Sequence, residues 1–441
     1  NALDNERMTP LHHAQTAEAV ELLLNAGADP TITSPKGTAI ETCGEEASIA
    51  LMLLSQVEST KEKTGNEIAK KCGNGSAEAV REVVEHVKKN GNKMMKIEAQ
   101  LTPIHIASSM GNIQLMKELM GIVGAKMMAE EVDMFGNTTL HYACMKGHSE
   151  VAKWLLRTTG GTGTGTGGGG DVMKVIEMEN KRGKTPLDCA MDQSESGMVE
   201  VVEEMVKKGI TMKTLQERGG FKERKAAEMM CEWAMKREVE KWRNTGNQFV
   251  DNEFPANKAT SIWIDPKKPS KCFAAPTKWR RISEWVSQPE VKGNGKMFEE
   301  GSQPSFEDME QGEIGTCYLM SSIAVISSAS PNMIRDVFVR VEESEKAGTI
   351  GVILFTNKNR AVPMLMDDFI PFGNIQWPND KEKKEQPLYG HTKGVNGKWY
   401  VSMIEKGFAK MKGCYKRIDG GVERDALATI TGGVGTNLSL R

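Results

Sequence analysis

The heptapeptide "LTPIHIA", Leu101–Ala107, decides how the first half of the chain is read, because it returns. "MTPLHHA" spans Met8–Ala14, "NTTLHYA" Asn137–Ala143 and "KTPLDCA" Lys184–Ala190, with a weaker copy, "GTAIETC", at Gly37–Cys43. The step is 29 residues from Thr9 to Thr38, 64 from Thr38 to Thr102 and 36 from Thr102 to Thr138. The 64 reads as two units, with a degenerate copy over Thr64–Gly91. Thr followed by Pro opens a helix, the hydroxyl capping free amides and the ring fixing φ where no helical N–H is needed. Small Ala then allows close packing against a second helix, as in "GHSEVAKWLL", Gly147–Leu156, where Val151, Trp154 and Leu155 share a face. Gly27 supplies a left-handed stop after such a helix.

These periods and the T-P-L-H-x-A phrase resemble the ankyrin repeat over residues 1–209. The resemblance implies an all-α solenoid whose exposed face binds a protein ligand. The insert "GGTGTGTGGGG", Gly160–Gly170, fits that frame: the step from Thr138 to Thr185 is 47, 11 longer than the one before it, so the insert belongs in a loop. His12, His105 and His141 recur at one repeat phase and read as hydrogen-bonding ties between turns, not metal ligands. Gly183-Lys184-Thr185 ends like a phosphate-cradling loop, yet Met178 stands where its first glycine belongs, which sets nucleotide binding aside.

Composition narrows the rest. At 441 residues the chain exceeds a single core. Lys+Arg 57 against Asp+Glu 59 gives a net charge of -2, so no nucleic-acid partner is expected. Eight cysteines without a CxxC pair argue against zinc ribbons and disulfide scaffolds and point to a reducing, cytoplasmic setting. No apolar run approaches the ~18 residues of a membrane span, so none is expected. Residues 210–248 form a connector in which Phe221–Trp242 reads as one helix, with Met229, Met230, Trp233, Ala234 and Val239 as an apolar stripe. A basic amphipathic helix suits a membrane surface or a calmodulin-type partner, but packing between neighbouring domains is the preferred reading.

The second decisive stretch is "QGEIGTCYLM", Gln311–Met320. Gly312 and Gly315 allow a tight turn, and "CYLMSSIAVISS" reads as a buried helix that starts at or beside Cys317. Free amides and the positive dipole end at a helix N-terminus favour thiolate, which is the form a nucleophile needs. Gln311, six residues earlier, is placed to donate its amide to an oxyanion, with the Cys317 N–H as the second donor. Downstream, Val352–Thr356 and Ala361–Met366 flank "NKNR" as a hairpin, and Ile404, Phe408 and Met411 make a helical core stripe.

From Phe249 to about Gly433 these motifs, in order, resemble the calpain family of papain-like cysteine endopeptidases. The resemblance runs through Phe249, Asp251, Phe254 and Pro255, then "WRRISEW" at Trp279–Trp285, Gln311–Cys317, the hairpin ending at Asp367 and Asp368, and "WYVSMIEKGFAKMKGCYKRIDGG" with Trp399, Glu405, Lys406, Lys410, Gly413, Tyr415, Gly420 and Gly421. Thr316 and Tyr318 depart from the family's Asp and Trp beside the cysteine. The resemblance implies Cys317 as nucleophile and Gln311 in the oxyanion hole. It also implies calcium as cofactor, with Asp308 a candidate ligand, although Lys398 replaces the expected partner carboxylate and opposes a cation. Lys398 directly precedes Trp399.

The expected architecture is therefore multidomain: an all-α ankyrin solenoid at 1–209, the connector, and at 249–441 the first, mainly helical subdomain of an α+β papain-like core. The family's catalytic His and Asn come from sequence later than Thr431–Gly433, and His391 lies at the wrong motif position for the base. The expected function is cysteine endopeptidase action on protein substrates, incomplete in this chain. The alternative is a non-catalytic interaction scaffold on an inactive calpain fold.

Overall fold

The computed structural model describes residues 2–26, 28–29, 32–35, 37–39, 71–72, 76–90, 102–159, 172–269, 273–286, 297–298, 301–375, 384–392 and 398–434. The Gly27 stop, the Gly160–Gly170 insert and most of the weak copy at Gly37–Cys43 lie outside them. The chain divides into two compact units, Asn1–Pro186 and Leu187–Arg441, so the last repeat phrase straddles the division.

In the first unit three repeat phrases open a short helix paired with a second one: Pro10–His13 with Ala17–Asn25, Pro103–Ser109 with Ile113–Glu130, Thr139–Met145 with Ser149–Thr159. Gly124, at φ 79° and ψ 158°, breaks Ile113–Glu130, a conformation glycine adopts without a Cβ clash. The recurring histidines explain the phrase. His12, His105 and His141 each sit three residues after the threonine, and Nδ1 lies 2.7, 2.8 and 2.9 Å from Oγ1 of Thr9, Thr102 and Thr138. The threonine N–H donates to the same Nδ1, which puts the ring proton on Nε2. From there His105 donates to Glu131 O (3.2 Å) and His141 to Lys184 O (3.1 Å), tying each turn to the next loop. Burial keeps both rings neutral, lowering the pKa of His105 and bringing that of His141 down to about 4.

The second unit is built on a hairpin, Thr349–Phe355 with Ala361–Asp367, in register from Thr349↔Asp367 to Phe355↔Ala361, and Phe338–Val339 adds a third antiparallel strand. Thr356 N–H closes the turn on Arg360 O, with Asn359 at φ 55° in the left-handed region that Asn tolerates. Both long strands are buried at every position, which requires cover on both faces. One face receives helix Arg224–Thr245: Gly351 has no room for a side chain because Met235 and Cys231 press on that point. This helix begins and ends three residues later than the sequence reading, and Cys231 and Met235 lie in its buried stripe while Met229 and Trp233 are half-buried. On the opposite face Val352 and Leu354 meet helix Tyr400–Lys412 at Gly407. A second sheet orders Lys278–Arg281, Phe369–Ile375 and Lys384–Pro387, and a short ladder pairs Met309–Glu310 with His391–Thr392.

Charges hold these layers together. Lys406, on the otherwise core-facing helix, has a fully buried side chain against an equally buried Asp367. Its ammonium donates to Asp367 Oδ1 (2.5 Å), Asp367 O (2.8 Å) and Phe369 O (2.7 Å), which uses all three N–H bonds. Asp367 Oδ2 accepts the Asp251 N–H (2.8 Å), and Asp251 Oδ2 in turn accepts from Lys410 (2.7 Å). Arg281 pairs with Asp368 and donates to Phe249 O (2.6 Å).

Two measurements test these assignments. His141 titrates lower folded than unfolded, so its contribution is present above about pH 6.5 and is lost as pH falls towards 4, at no more than about 1.4 kcal/mol per pH unit. The chemical-denaturation midpoint of the repeat unit should fall across that window, and His141→Gln should flatten the fall. Lys406→Met leaves Asp367 buried and unpaired and should cost about 3–5 kcal/mol of unfolding free energy; adding Asp367→Leu should restore part of it.

Candidate functional site

The turn before Cys317 is set by close backbone approaches. A Cβ on Gly312 would strike the main chain of Leu388 and Tyr389, and Glu313 N–H donates to Leu388 O (2.9 Å). A Cβ on Gly315 would lie 2.8 Å from Asp419 Oδ1, which accepts the Gly315 N–H (3.1 Å), while Gly420 N–H reaches Gly315 O (2.8 Å). Neither glycine has a positive φ. The reason for them is space, not the tight-turn freedom read from the sequence.

Helix Cys317–Ala329 starts at the cysteine, as expected, and its buried residues include Leu319, Ile323 and Ile326. Cys317 is exposed, whereas the other free cysteines among the described residues, 72, 144, 189, 231 and 414, are buried. Burial pushes the thiols of Cys72 and Cys231 up to about 12 and that of Cys144 higher still, which makes them inert. Tyr318 turns inward, its ring over Gly421 and its hydroxyl donating to Ile418 O (3.3 Å), so it serves as an aromatic wall.

Thr316 caps the helix without a side-chain cap bond. Its hydroxyl donates instead to Glu405 Oε1 (2.6 Å), and Glu405 Oε2 accepts the Gly390 N–H (2.9 Å). Burial pushes the Glu405 carboxyl up to about 7 against the opposing pull of these two bonds. In the sequence Glu405 is legible only as part of a family motif, and a carboxylate on an otherwise core-facing helix is the signal that marks it.

The other candidates fall around this helix. Gln311 Nε2 donates to Ile314 O (2.9 Å), across the turn towards Cys317, which uses one of its two amide N–H bonds. His391 has Nδ1 2.7 Å from Tyr389 O and Nε2 3.6 Å from Glu310 Oε2, and burial lowers its pKa. Among the described residues no hydrogen bond is made to the Cys317 thiol. Asp308 caps its own turn by accepting Ser305 N–H (3.2 Å), and Lys398 Nζ lies 3.0 Å from each of its carboxylate oxygens. Tyr400 OH adds a longer contact (3.4 Å). Calcium takes six to eight oxygen ligands. An ammonium across both oxygens of the assigned ligand does not fit it, and among the described residues no cluster of three or more His, Cys, Asp or Glu is suited to a metal ion.

Comparison with known proteins agrees with the geometry. Residues 249–441 match the family described as calpain family cysteine protease. Residues 67–166 and 104–215 match ankyrin repeats (3 copies), and residues 6–35 match a single ankyrin repeat. The calpain-type cysteine protease DEK1 of Arabidopsis thaliana is 34% identical over 200 residues, 44% of this chain and 8% of its own. The calpain of Schistosoma mansoni is 28% identical over 184 residues (41% and 23%), and calpain-5 of Mus musculus 28% over 198 (44% and 27%). The match therefore spans under a third of each of these relatives. The chain is thus built of ankyrin repeats followed by a region of the calpain family of cysteine proteases.

Proposed function

We propose that the protein is a cytoplasmic cysteine endopeptidase acting through an acyl-enzyme on Cys317, with the ankyrin repeats bringing a protein ligand or substrate to it. The observation that carries this reading is the Cys317 thiol, exposed at the first residue of a buried helix while the other described cysteines are sealed in the core. The thiolate attacks the peptide carbonyl, and the oxyanion is met by the Cys317 N–H and the remaining N–H of the Gln311 amide. Collapse expels the amine and leaves a thioester, which water hydrolyses. We assign the proton for the leaving amine to a histidine from outside these 441 residues, since His391, the one histidine after Cys317 in them, is held by Tyr389 and Glu310. That same observation favours the competing reading, a scaffold without chemistry.

In the full-length protein, Cys317→Ala should reduce cleavage of a protein substrate by roughly 10⁴-fold or more and abolish labelling by thiol-directed inhibitors. Unchanged cleavage removes Cys317 from the mechanism; no cleavage by the unmodified protein favours the scaffold. We also propose that Asp308 binds no calcium, its charge being met by Lys398. Thermal melting with millimolar calcium should match melting with chelator, whereas occupancy at 100-fold excess over Kd would add about 2.7 kcal/mol. A calcium-dependent rise that Asp308→Asn abolishes would sink this assignment.

A further inference from the structure

We propose that Glu405 is a positioning residue for Cys317, holding from one buried carboxylate both the cap of the nucleophile's helix and the turn that leads to the strand beside Gln311. The inference rests on the reading of Cys317 as nucleophile. Its geometry is local and specific.

A capping threonine ordinarily turns its hydroxyl onto the amides of its own first helical turn. Thr316 does not, because Glu405 Oε1 takes that hydroxyl at 2.6 Å. Leu319 N–H turns back to Thr316 O (2.9 Å), while the Cys317 and Tyr318 amides have neither an intrahelical acceptor nor a capping hydroxyl, and their dipole is directed at the thiol and at the space in front of it. The other oxygen grips the Gly390 N–H, and a Cβ on Gly390 would lie 2.8 Å from Met320 Cε and 2.9 Å from Glu405 Oε1, so only glycine lets the turn come this close. Gly390 O is fixed in turn by the Ser402 hydroxyl (2.9 Å). The next residues, His391 and Thr392, pair with Glu310 and Met309, directly before Gln311.

The carboxylate is 1% exposed, and among the described residues it has no ammonium or guanidinium partner. The titratable groups that face it are the phenols of Tyr318, Tyr389 and Tyr415, all pushed up by burial and by this neighbour. Once ionised, above about pH 7, it carries a negative charge bonded to the residue before Cys317, with only the Thr316 and Gly390 hydrogen bonds to offset it.

A plain core tie and a positioning residue respond differently to Glu405→Gln. The amide keeps both contacts, donating to Thr316 Oγ1 and accepting from Gly390, but it removes the charge. The test is the rate of iodoacetamide alkylation of Cys317 as a function of pH in the 441-residue chain, followed on the Cys317 peptide by mass spectrometry, with near-ultraviolet circular dichroism to verify folding. Because the carboxyl ionises near 7, Glu405→Gln should leave the rate near pH 6 unchanged and raise it about threefold above pH 8, moving the curve to lower pH. Thr316→Val strips a bond that favours the ionised carboxylate, so Glu405 stays neutral to higher pH and the curve should again move to lower pH; it serves if Glu405→Gln fails to fold. Curves superimposable on the unmodified chain in folded variants, or shifts of opposite sign, overturn the proposal. The readout is independent of cleavage: if Cys317→Ala leaves proteolysis intact, the functional reading fails while this measurement still decides what Glu405 does.

Discussion

The second unit depends on one ammonium group in the wrong medium. Lys406 is fully buried, and a charge there is tolerable only if its neighbours replace the water it has lost. Asp367 and two carbonyls do so, and in satisfying Lys406 they fix where the end of the hairpin lies against the helix. The arrangement then spreads. The second oxygen of Asp367 takes the Asp251 N–H, Asp251 holds Lys410, and Arg281 clamps Asp368 to the main chain of Phe249. Groups from residues 249 to 410 are thereby drawn together around the end of the hairpin, and each is placed by the need to satisfy the next.

With the layers fixed, the site is a matter of clearance. Gly312, Gly315 and Gly390 are points where two backbones, or a backbone and a carboxylate, approach closer than a methyl group allows. They bring the chain after Leu388 and the chain after Ile418 against the turn before Cys317, so the thiol is presented by its surroundings. The helix itself is buried through Leu319, Ile323 and Ile326, and the cysteine is left at its open end.

Local and periodic features were legible in the sequence. The repeat phrase, the hairpin at Val352–Thr356 and Ala361–Met366 and the helix opening at Cys317 all carry their signal within a few residues. The helix at Arg224–Thr245 starts later than its apolar pattern suggests because Phe221 bridges to Ala361 of the hairpin, and Met229 and Trp233 look as apolar as Cys231 and Met235 until the hairpin decides which pair is buried. The charges were legible as letters and not as partners. Lys406 meets Asp367 39 residues away and Lys410 meets Asp251 159 away, separations that no period or motif encodes. For Lys398 the sequence predicted a conflict with a cation, while the position of the ammonium across both oxygens of Asp308 needed the fold. Glu405 was hidden for the same reason, since its two partners lie in other segments.

The repeat histidines have a mechanical consequence. Two of the rings join their own threonine to a carbonyl belonging to the next loop, His105 to Glu131 and His141 to Lys184, so these repeats are completed only by a neighbour. In a stack where contacts run mainly between adjacent units, such joints act as nearest-neighbour couplings along a line. Order therefore propagates from one repeat to the next, and a single uncoupled joint divides the line into segments that melt separately.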